Sequence, residues 1–336
     1  MERKTRTYQW QKNRPMQEAM ADASGLERLQ EALVEGGRVP PIAATIDYAI
    51  TEVGDGYSAA EGTPSDFHYN PIGTVHGGYF AVLLDTCMGC AVNTTLAAGE
   101  GHTTMEYKIN LVRPLTVATG PIRAEGRIVH RGRRMATAEG RLIDSEGKLY
   151  AHGTTTCMIF PAPKAGTPNQ TLIDETETAN ERTYEYSFGE ATMAPDRSIP
   201  GLDFFQNALA GGSFCPPIAE TMDFQLQSVE NGKTRFVCTP QDFHYNPMGT
   251  VHGGLAGTLL DSAMGCAVHT TLDGGVAYTT LEFQVNLVRP MTIDTGPVFT
   301  DGWSVHKGRR MATAEGRIVD AKGKVYAHGS TTCMIL

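Results

Sequence analysis

The chain repeats one long stretch of its own sequence. The residues from His68 to Gly78 return at His244 to Gly254, a shift of 176 positions (244 − 68), and the same shift relates the two copies without insertion or deletion. Because this period is far longer than the roughly 20 to 50 residues of solenoid repeats, it predicts two fused globular domains. A polar residue retained in both copies is therefore a stronger functional candidate than one found in a single copy.

The constant shift divides the 336-residue chain into segments. Each copy has about 135 residues, which is near the usual size of a domain and enough to bury a core of its own. Two stretches lack a sustained apolar period and are expected to lie outside these domains. The predicted segments are an N-terminal tail or helix at 1–25, a first domain at 26–160, a surface linker at 161–201 and a second domain at 202–336.

Charge and composition exclude some classes of partner. The formal net charge of −9 argues against nucleic acid or an anionic membrane as the main partner. No apolar run approaches the length of a membrane span, and no apolar segment of a signal peptide follows the basic N-terminus, so we expect a cytoplasmic protein. The seven cysteines lie mostly in apolar stretches and are expected to be reduced core residues. Cys87 and Cys90 have the spacing of a redox or zinc pair, but Ala263 replaces Cys87 in the second copy, and we expect no metal.

Hydrophobic periodicity predicts the same order of elements in each copy. In the first copy a short helix at 26–33 precedes two strands that are joined by a turn at Gly54–Gly56. From Tyr79 to Leu96 apolar residues recur at helical spacing within a mostly apolar segment, which predicts a helix that is buried nearly all round. Four strands then follow up to Phe160, separated by turns. The predicted fold class is α+β, with an antiparallel sheet wrapped on a central helix in each copy.

Two glycines mark the start of the predicted central helix. The first backbone N–H groups of a helix have no partner within it, and the helix dipole makes this end attractive to negative charge. The amide of Gly77, or of Gly253 in the second copy, is therefore a candidate donor to a carbonyl oxygen and to the oxyanion that forms after attack. A tight turn that needs glycine for its geometry explains the motif equally well.

Asp85 and Asp261 are the only charged residues in long apolar helices, and carboxylates are seldom buried without a partner. A structural salt bridge is the alternative to a catalytic role. Eight residues (85 − 77) separate Gly77 from Asp85, about 12 Å along a helix, so the two cannot act on one carbonyl within one copy. If the central helices pack antiparallel across a pseudo-twofold axis, Gly77 faces Asp261 and Gly253 faces Asp85.

Two further polar pairs are present in both copies. Asn70 and His76 precede the helix and return as Asn246 and His252, and they are candidates to orient a water molecule or a thiol leaving group. The alternative is that the asparagine makes a turn and the histidine caps the helix.

Paired arginines also occur in both copies, at Arg133-Arg134 and at Arg309-Arg310. In an acidic protein they suit a ligand that carries phosphates, although a solvated strand edge is the alternative. The sequence has no Walker loop and no dinucleotide-binding fingerprint, so coenzyme A fits better than a nucleoside triphosphate or NAD.

These motifs together resemble one family. Asn-Pro-x-Gly-x-x-His-Gly-Gly from Asn70, an Asp nine residues after the His, Asn-x-x-Arg-Pro from Asn110, and Gly-Arg-Arg from Gly132 resemble the hotdog-fold acyl-CoA thioesterases of the phenylacetate type. The resemblance covers both copies, about four-fifths of the chain. It implies a tandem double hotdog with active sites between the two units, which hydrolyses an acyl-CoA without metal or other cofactor.

The resemblance also implies a role for each matched residue. Gly77 would be the oxyanion donor, and Asn70 and His76 would position water or the thiolate. Asp261 from the other half would be the nucleophile or general base, with Thr280 orienting the water. The second site would comprise Asn246, His252, Gly253, Asp85 and Thr104. Arg133, Arg134, Arg309 and Arg310 would lie near the nucleotide of coenzyme A.

Several positions near the expected acyl chain differ between the copies. Tyr79-Phe80 corresponds to Leu255-Ala256, and Asn93 corresponds to His269, so we expect two competent sites with different acyl preferences. Two alternatives to a thioesterase stay open. They are a hotdog acyl-CoA hydratase or dehydratase, and a module that binds acyl-CoA without turnover. By analogy with single hotdog units we expect a homo-oligomer, a dimer of the fused chain.

Overall fold

A computed structural model describes residues 2–10, 22–34, 39–162, 180–189, 198–211 and 215–336. The helices of this part of the chain are α1 (Gly25–Ala32), α2 (Pro41–Ile46), α3 (Gly77–Asn93), α4 (Gly201–Gly211), α5 (Pro217–Thr221) and α6 (Gly253–His269). Its strands are β1 (Glu2–Trp10), β2 (Tyr48–Gly54), β3 (Tyr57–Gly62), β4 (Glu100–Leu111), β5 (Ile122–Arg131), β6 (Met135–Asp144), β7 (Leu149–Pro161), β8 (Asn180–Phe188), β9 (Phe224–Glu230), β10 (Lys233–Cys238), β11 (Tyr278–Leu287), β12 (Val298–Lys307), β13 (Met311–Asp320) and β14 (Val325–Ile335).

Helices α3 and α6 form the centre of the two halves. Every residue of α3 except Cys90 is buried, as expected for a segment that is apolar on nearly all sides. The helix begins at Gly77 because His76 caps it, and the side chain of His76 accepts a hydrogen bond from the N–H of Gly78. His252 caps α6 in the same way. No described helix is long and apolar enough to cross a membrane.

Each half wraps an antiparallel sheet around its central helix, and the two sheets are continuous. The strand order is β2-β3-β5-β6-β7-β4 followed by β11-β14-β13-β12-β10-β9, which makes one sheet of 12 strands. The halves meet where β4 pairs with β11, with Tyr107 opposite Val285. The α+β fold class and the tandem double hotdog are confirmed, and the edge-to-edge pairing leaves neither β4 nor β11 as a free sheet edge.

The central helices cross at positions occupied by glycine. A Cβ atom added to Gly78 would lie 2.2 Å from Oγ1 of Thr258, and one added to Gly254 would lie 2.5 Å from Cγ2 of Val82. Early residues of each helix therefore contact middle residues of the other, which is the antiparallel arrangement expected from the sequence. The close approach brings the N-terminus of each helix to the interior of the opposite half.

Two segments that were expected to lack a strand form a small sheet of their own. Strand β1 lies in the stretch predicted as a tail or helix, and β8 lies in the predicted linker. They pair antiparallel with Thr7 opposite Thr183, and the hydroxyls of these two residues are 2.9 Å apart. Neither strand has another strand as a partner in the described part of the chain, so each depends on the other, which local periodicity does not reveal. Of the predicted tail and linker, residues 1, 11–21, 163–179 and 190–197 lie outside the described residues.

The paired strands belong to the repeat as well. Arg6-Thr7-Tyr8 returns as Arg182-Thr183-Tyr184 with the same shift of 176 (182 − 6). The guanidinium of Arg6 donates to the carbonyl of Ala44 at 2.8 Å, and that of Arg182 donates to the carbonyl of Glu220 at 2.7 Å. Each arginine thus satisfies a carbonyl at the end of a short helix, α2 or α5, that precedes the sheet of its half. The domain boundaries themselves stay a prediction.

Candidate active site

Two composite sites lie where the start of each central helix meets the middle of the other. A Cβ atom on Gly77 would lie 2.3 Å from Oδ2 of Asp261, and one on Gly253 would lie 2.6 Å from Oδ2 of Asp85. Neither glycine has a positive φ, so close approach of the carboxylate, and not turn geometry, explains the absence of a side chain. The structure therefore places a backbone N–H of one half beside a carboxylate of the other, and it does so twice.

A threonine holds each carboxylate from the neighbouring strand. Thr280 donates to Oδ1 of Asp261 at 3.2 Å, and Thr104 donates to Oδ1 of Asp85 at 3.0 Å. The register of both strands shifts directly after the threonine, at Met105 in β4 and at Leu281 in β11. Such bulges are frequent next to functional sites because they redirect a side chain.

The capping histidine at each site is neutral. Nδ1 of His76 accepts from the N–H of Gly78 at 2.9 Å, so the ring proton is on Nε2, which donates to Oγ of Ser262 at 2.9 Å. Burial lowers the pKa of His76, which favours the same neutral form. The distance of 3.6 Å between Nδ1 of His76 and Oδ2 of Asp261 is therefore a contact between an acceptor nitrogen and a carboxyl group, not an ion pair.

The second site repeats this arrangement with a different hydroxyl. Nδ1 of His252 accepts from the N–H of Gly254 at 2.9 Å, and Nε2 donates to Oγ1 of Thr86 at 3.0 Å. The Thr86 hydroxyl also contacts the hydroxyl of Tyr48 at 2.9 Å. Ser262 and Thr86 were not among the residues predicted from the sequence, although a hydroxyl residue directly after the aspartate in both copies was a usable signal.

Burial raises the pKa of both aspartates. At Asp261 this rise is opposed by His76, by the hydrogen bond from Thr280 and by the backbone N–H of Gly77. At Asp85 it is opposed by His252 and by the hydrogen bond from Thr104. Among the described residues no lysine or arginine pairs with either carboxylate, so the structure does not contain the salt bridge that was the alternative to a catalytic role. A desolvated carboxylate with a raised pKa is suited to accept a proton.

Asn70 lies at the edge of the site and orders the loop before α3. Its Oδ1 accepts from the N–H groups of Ile72 and Thr74 at 3.0 and 3.1 Å, and its amide donates to the Thr74 hydroxyl at 2.8 Å. Asn246 makes the corresponding bonds in the other half. The turn and cap functions of the asparagine and histidine are thus both present, and a role toward substrate stays a prediction.

A cleft of about 490 Å³ leads through the Asp261 site. It passes His76 and Gly77 from the first half and runs along α6 from Asp261 to His269. A volume of this size matches a pocket for a small organic ligand. The outer part of the wall includes Arg113 from the first half and Met334 from the last strand.

The predicted arginine pairs are exposed and do not line this cleft. The carbonyl of Arg310 accepts from the N–H of Ile335 at 2.9 Å, and the neighbours of Ile335, Met334 and Leu336, do line it. Arg134 has the corresponding contact with Ile159 at 2.8 Å. Arg310 is therefore next to the rim of the cleft at Asp261, and Arg134 has the equivalent position in the first half.

Comparison with known families agrees with this architecture. The model of the thioesterase superfamily matches residues 72–151 and 248–327. Both halves match this superfamily. Each match begins in the loop before a central helix and continues into the last strand of the half, so it spans the glycine, the aspartate and the threonine of the sites. No curated protein sequence matches the chain.

Solved structures show the same fold over most of the chain. A tesB protein from Mycobacterium avium subs paratuberculosis has 14% identity and a TM-score of 0.55, covering 88% of this chain and 98% of its own. A hot dog fold protein from Alicyclobacillus acidocaldarius has the same identity and TM-score, covering 89% and 98%. A protein described as a thioesterase from Novosphingobium aromaticivorans has 14% identity and a TM-score of 0.53, covering 85% and 98%. At this identity the likeness establishes the double-hotdog fold and not the reaction.

Proposed function

We propose that the protein is an acyl-CoA thioesterase that hydrolyses a thioester to a free acid and coenzyme A at two sites between its halves. The observation that carries this proposal is the contact between the N-terminus of each central helix and a buried carboxylate of the opposite half. An N–H group at a helix start stabilises negative charge on an oxygen, and a desolvated carboxylate activates water. Thioester hydrolysis needs both at one carbonyl group.

At the Asp261 site the thioester oxygen accepts from the N–H of Gly77. Asp261 removes a proton from water while the water oxygen attacks the carbonyl carbon, and Thr280 orients the carboxylate. The tetrahedral oxyanion is stabilised by the N–H and the helix dipole. The carbon–sulfur bond then breaks, and the proton on Asp261 passes to the thiolate, which leaves as the free thiol. Direct attack by the carboxylate through an anhydride uses the same residues and gives the same products.

The N–H of Gly77 supports both the resting and the reacting state. In the free site it stabilises the ionised form of Asp261 and so lowers the pKa of that carboxyl. When the carbonyl oxygen of a substrate takes this N–H, Asp261 loses one stabilising hydrogen bond. Its pKa then rises, and the carboxylate becomes a stronger base as the substrate binds. Substrate binding and base activation are thereby coupled through one backbone group.

Coenzyme A is part of the substrate, and no other cofactor enters the proposed reaction. The exposed pairs Arg133-Arg134 and Arg309-Arg310 supply guanidinium groups beside the two rims, and these bind phosphates in a bidentate manner. We further propose a cytoplasmic protein that assembles as a dimer of double hotdogs.

The hydratase alternative needs a histidine that exchanges protons with the acyl chain. Both ring nitrogens of His76 are engaged, one by Gly78 and one by Ser262, which disfavours that role. A binding module without turnover has no need of a desolvated carboxylate beside the carbonyl site.

Thiol release from short, long and aromatic acyl-CoAs tests the proposal, with the Asp85→Asn, Asp261→Asn double variant as comparison. Release by the wild type that is lost in the double variant supports a thioesterase. A changed acyl chain without free thiol would indicate a hydratase, and tight binding without any product would indicate the binding module.

A further inference from the structure

A hydroxyl residue follows each buried aspartate of the central helices. Ser262 comes directly after Asp261, and the repeat shift of 176 (262 − 86) relates it to Thr86, which comes directly after Asp85. Both hydroxyl residues are buried, and neither takes part in the reaction steps proposed above. A buried hydroxyl group that both halves retain is a candidate for a further role in that reaction.

Each hydroxyl group binds the histidine that caps the opposite helix. Oγ of Ser262 lies 2.9 Å from Nε2 of His76, and Oγ1 of Thr86 lies 3.0 Å from Nε2 of His252. Among the described residues, Nε2 of either histidine has no other hydrogen-bond partner. Each histidine is 6% exposed, so bulk water does not replace this acceptor. The hydroxyl group therefore decides whether a proton on Nε2 has an acceptor.

The position of the ring proton matters because the other ring nitrogen faces the carboxylate. Nδ1 of His76 accepts from the N–H of Gly78 at 2.9 Å and lies 3.6 Å from Oδ2 of Asp261. With the proton on Nε2, Nδ1 accepts from the helix start and gives Asp261 no hydrogen bond. With the proton on Nδ1, this cap is lost and Nδ1 becomes a donor beside the carboxylate. A donor there stabilises the ionised carboxylate and makes it a weaker base.

We propose that Ser262 and Thr86 are positioning residues that hold the proton of the opposite histidine on Nε2 and so keep the neighbouring carboxylate free of a hydrogen bond from the imidazole. This inference rests on the proposed thioesterase function, because it concerns how strong a base the carboxylate is. The helix cap and the hydroxyl group act on opposite nitrogens of one ring and favour the same tautomer. Each hydroxyl group acts through the histidine and needs no contact with the substrate.

The two halves differ in the next hydrogen bond outward. Oγ1 of Thr86 also contacts the hydroxyl of Tyr48 at 2.9 Å, but the repeat shift relates Tyr48 to Phe224, which has no hydroxyl. Within the described part of the chain, the side chain of Ser262 has no hydrogen-bond partner besides His76. The bond from histidine to hydroxyl is thus common to both halves, whereas the tyrosine is not. We therefore expect the hydroxyl residue on the helix, and not the tyrosine, to control the tautomer.

Other titratable groups face Asp261 from three strands and from its own helix. Among the described residues these are Tyr107 of β4, Tyr278 of β11, Cys333 of β14 and Cys266 of α6. Burial raises the pKa of all four above its ordinary value, so they stay neutral in the acid and neutral range. A change at the acid side of the pH profile therefore reports on Asp261 and on the imidazole beside it.

Nuclear magnetic resonance of the His76 ring gives a direct readout of the tautomer. Protonated and unprotonated ring nitrogens have different chemical shifts in protein made with isotope-labelled histidine, and the His76→Asn variant identifies the signal of His76. At neutral pH we expect the Nε2–H form in the wild type. After Ser262→Ala we expect about 10-fold or more of an increase in the ratio of Nδ1–H to Nε2–H, because Nε2–H has lost its acceptor. An unchanged ratio would overturn the inference.

The pH dependence of turnover separates control of the tautomer from loss of structure. In the Asp85→Asn background only the Asp261 site works, and the acid limb of kcat/KM reports the ionisation of Asp261. We expect Ser262→Ala to shift this limb to lower pH and to lower the plateau about 10-fold or more, since a donor beside the carboxylate lowers its pKa and weakens it as a base. A partly misfolded variant lowers the plateau without moving the limb, and that outcome would overturn the inference.

Two matched variants define the role of the hydroxyl group. Ser262→Thr keeps a hydroxyl and introduces the residue of the other half, so we expect the tautomer and the acid limb of the wild type. Ser58→Ala removes another buried serine hydroxyl, which donates to the carbonyl of Cys87 at 2.7 Å. We expect Ser58→Ala to leave the limb of the Asp261 site in place. A limb that moves as far in Ser58→Ala as in Ser262→Ala would refute a specific role of Ser262.

The other half provides the same test if Ser262→Ala does not fold. Thr86→Ala is expected to raise the Nδ1–H form of His252, whereas Tyr48→Phe is expected to leave the proton on Nε2. A change in Tyr48→Phe as large as that in Thr86→Ala would place the control in the tyrosine and overturn the assignment.

The tautomer measurement also distinguishes failure of this inference from failure of the proposed function. If no thioester is hydrolysed, the His76 signals and a titration of the labelled Asp261 carboxyl carbon still compare the wild type with Ser262→Ala. More Nδ1–H and a lower pKa of Asp261 in the variant would uphold the positioning role without turnover. Equal tautomer ratios and equal pKa values in the two proteins would refute it.

Discussion

Nδ1 of His76 lies 3.6 Å from Oδ2 of Asp261, although the two residues belong to different halves of the chain. The imidazole caps one central helix while the carboxylate projects from the middle of the other. Because this cap uses Nδ1 as an acceptor, the histidine orders the N–H groups of the helix start beside the carboxylate and does not neutralise it. The site therefore keeps a buried carboxylate and the N–H groups of a helix start in one place, which the proposed thioester hydrolysis uses.

Removing the carboxylates tests the base directly. Asp85→Asn and Asp261→Asn each keep the side-chain volume and remove one acid. We expect each single variant to retain the activity of the other site and the double variant to lose about 10²–10⁴-fold in kcat/KM. Thiol release on each site's preferred substrate measures this loss. Asp55→Asn, at an exposed turn, is the control, and a double variant that keeps more than half of the wild-type rate would contradict the mechanism.

The Gly77→Ala substitution tests the close approach of the Asp261 carboxylate to the start of α3. The Cβ atom of Gly77→Ala would lie 2.3 Å from Oδ2 of Asp261, so the carboxylate or the helix start has to move. We expect loss of activity at the Asp261 site and about 1–3 kcal/mol lower stability. Gly54→Ala is the matched control, because a Cβ atom there meets nothing within 4 Å. Activity is measured in the Asp85→Asn background, where only the Asp261 site works. Full activity of Gly77→Ala there would refute the close approach of the Asp261 carboxylate to the helix start.

Buried histidines predict a loss of stability in mild acid. Burial lowers the pKa of His68 to about 3 and of His102 to about 4, and it also lowers those of His76 and His252. Burial and Arg182 lower the pKa of His244 to about 3. At a pH below 6.5, the ordinary pKa of histidine, these side chains bind protons in the unfolded chain but stay neutral in the folded chain. The contribution of these histidines to the free energy of unfolding is therefore fully present above that pH. It falls as the pH drops, by about 1.4 kcal/mol per pH unit for each histidine.

The two buried aspartates, Asp85 and Asp261, act in the opposite direction. Their folded pKa values are raised, so they favour the folded state in acid and lose that contribution as the pH rises through the folded pKa. Urea unfolding at pH 7 and pH 5 measures the net effect of the histidines and the aspartates on stability. We expect lower stability at pH 5, and we expect His68→Gln to reduce the difference by removing one of the five histidines. An unchanged difference between pH 7 and pH 5 in the His68→Gln variant would contradict the neutral assignment of His68.

Removing the arginine pairs tests coenzyme A recognition. Arg309→Ala with Arg310→Ala is expected to raise KM about 10-fold or more at the Asp261 site, since charge-assisted bonds to phosphates contribute about 1.5–3 kcal/mol each. Arg133→Ala with Arg134→Ala should act on the Asp85 site instead. The measurement is KM in the two single-aspartate variants, where only one site works. A short thioester without the nucleotide is the control substrate, and an equal rise in its KM would argue against phosphate binding.

The sequence alone determined the two-domain organisation and much of the site. The repeat is found by comparing the sequence with itself. The apolar period of the 77–93 segment predicts a buried helix because helical geometry is local. The same geometry excluded Gly77 and Asp85 from acting together and so required the other half. The α+β class followed from the order of these elements, and the hotdog architecture was implied by the resemblance of the motifs to a known family.

Only the tertiary structure decided how the halves join. The pairing of β4 with β11 and of β1 with β8 links residues more than a hundred positions apart, and no local pattern encodes which edge strand pairs with which. The hydroxyls of Ser262 and Thr86 gained their role only when the opposite helix brought a histidine to them. Likewise, the sequence showed that Asn93 differs from His269, but only packing showed that the side-chain oxygen Oδ1 of Asn93 is buried without a partner among the described residues. Whether a polar atom has a hydrogen-bond partner depends on residues that only folding brings together, whereas hydrophobic periodicity can be read along the chain itself.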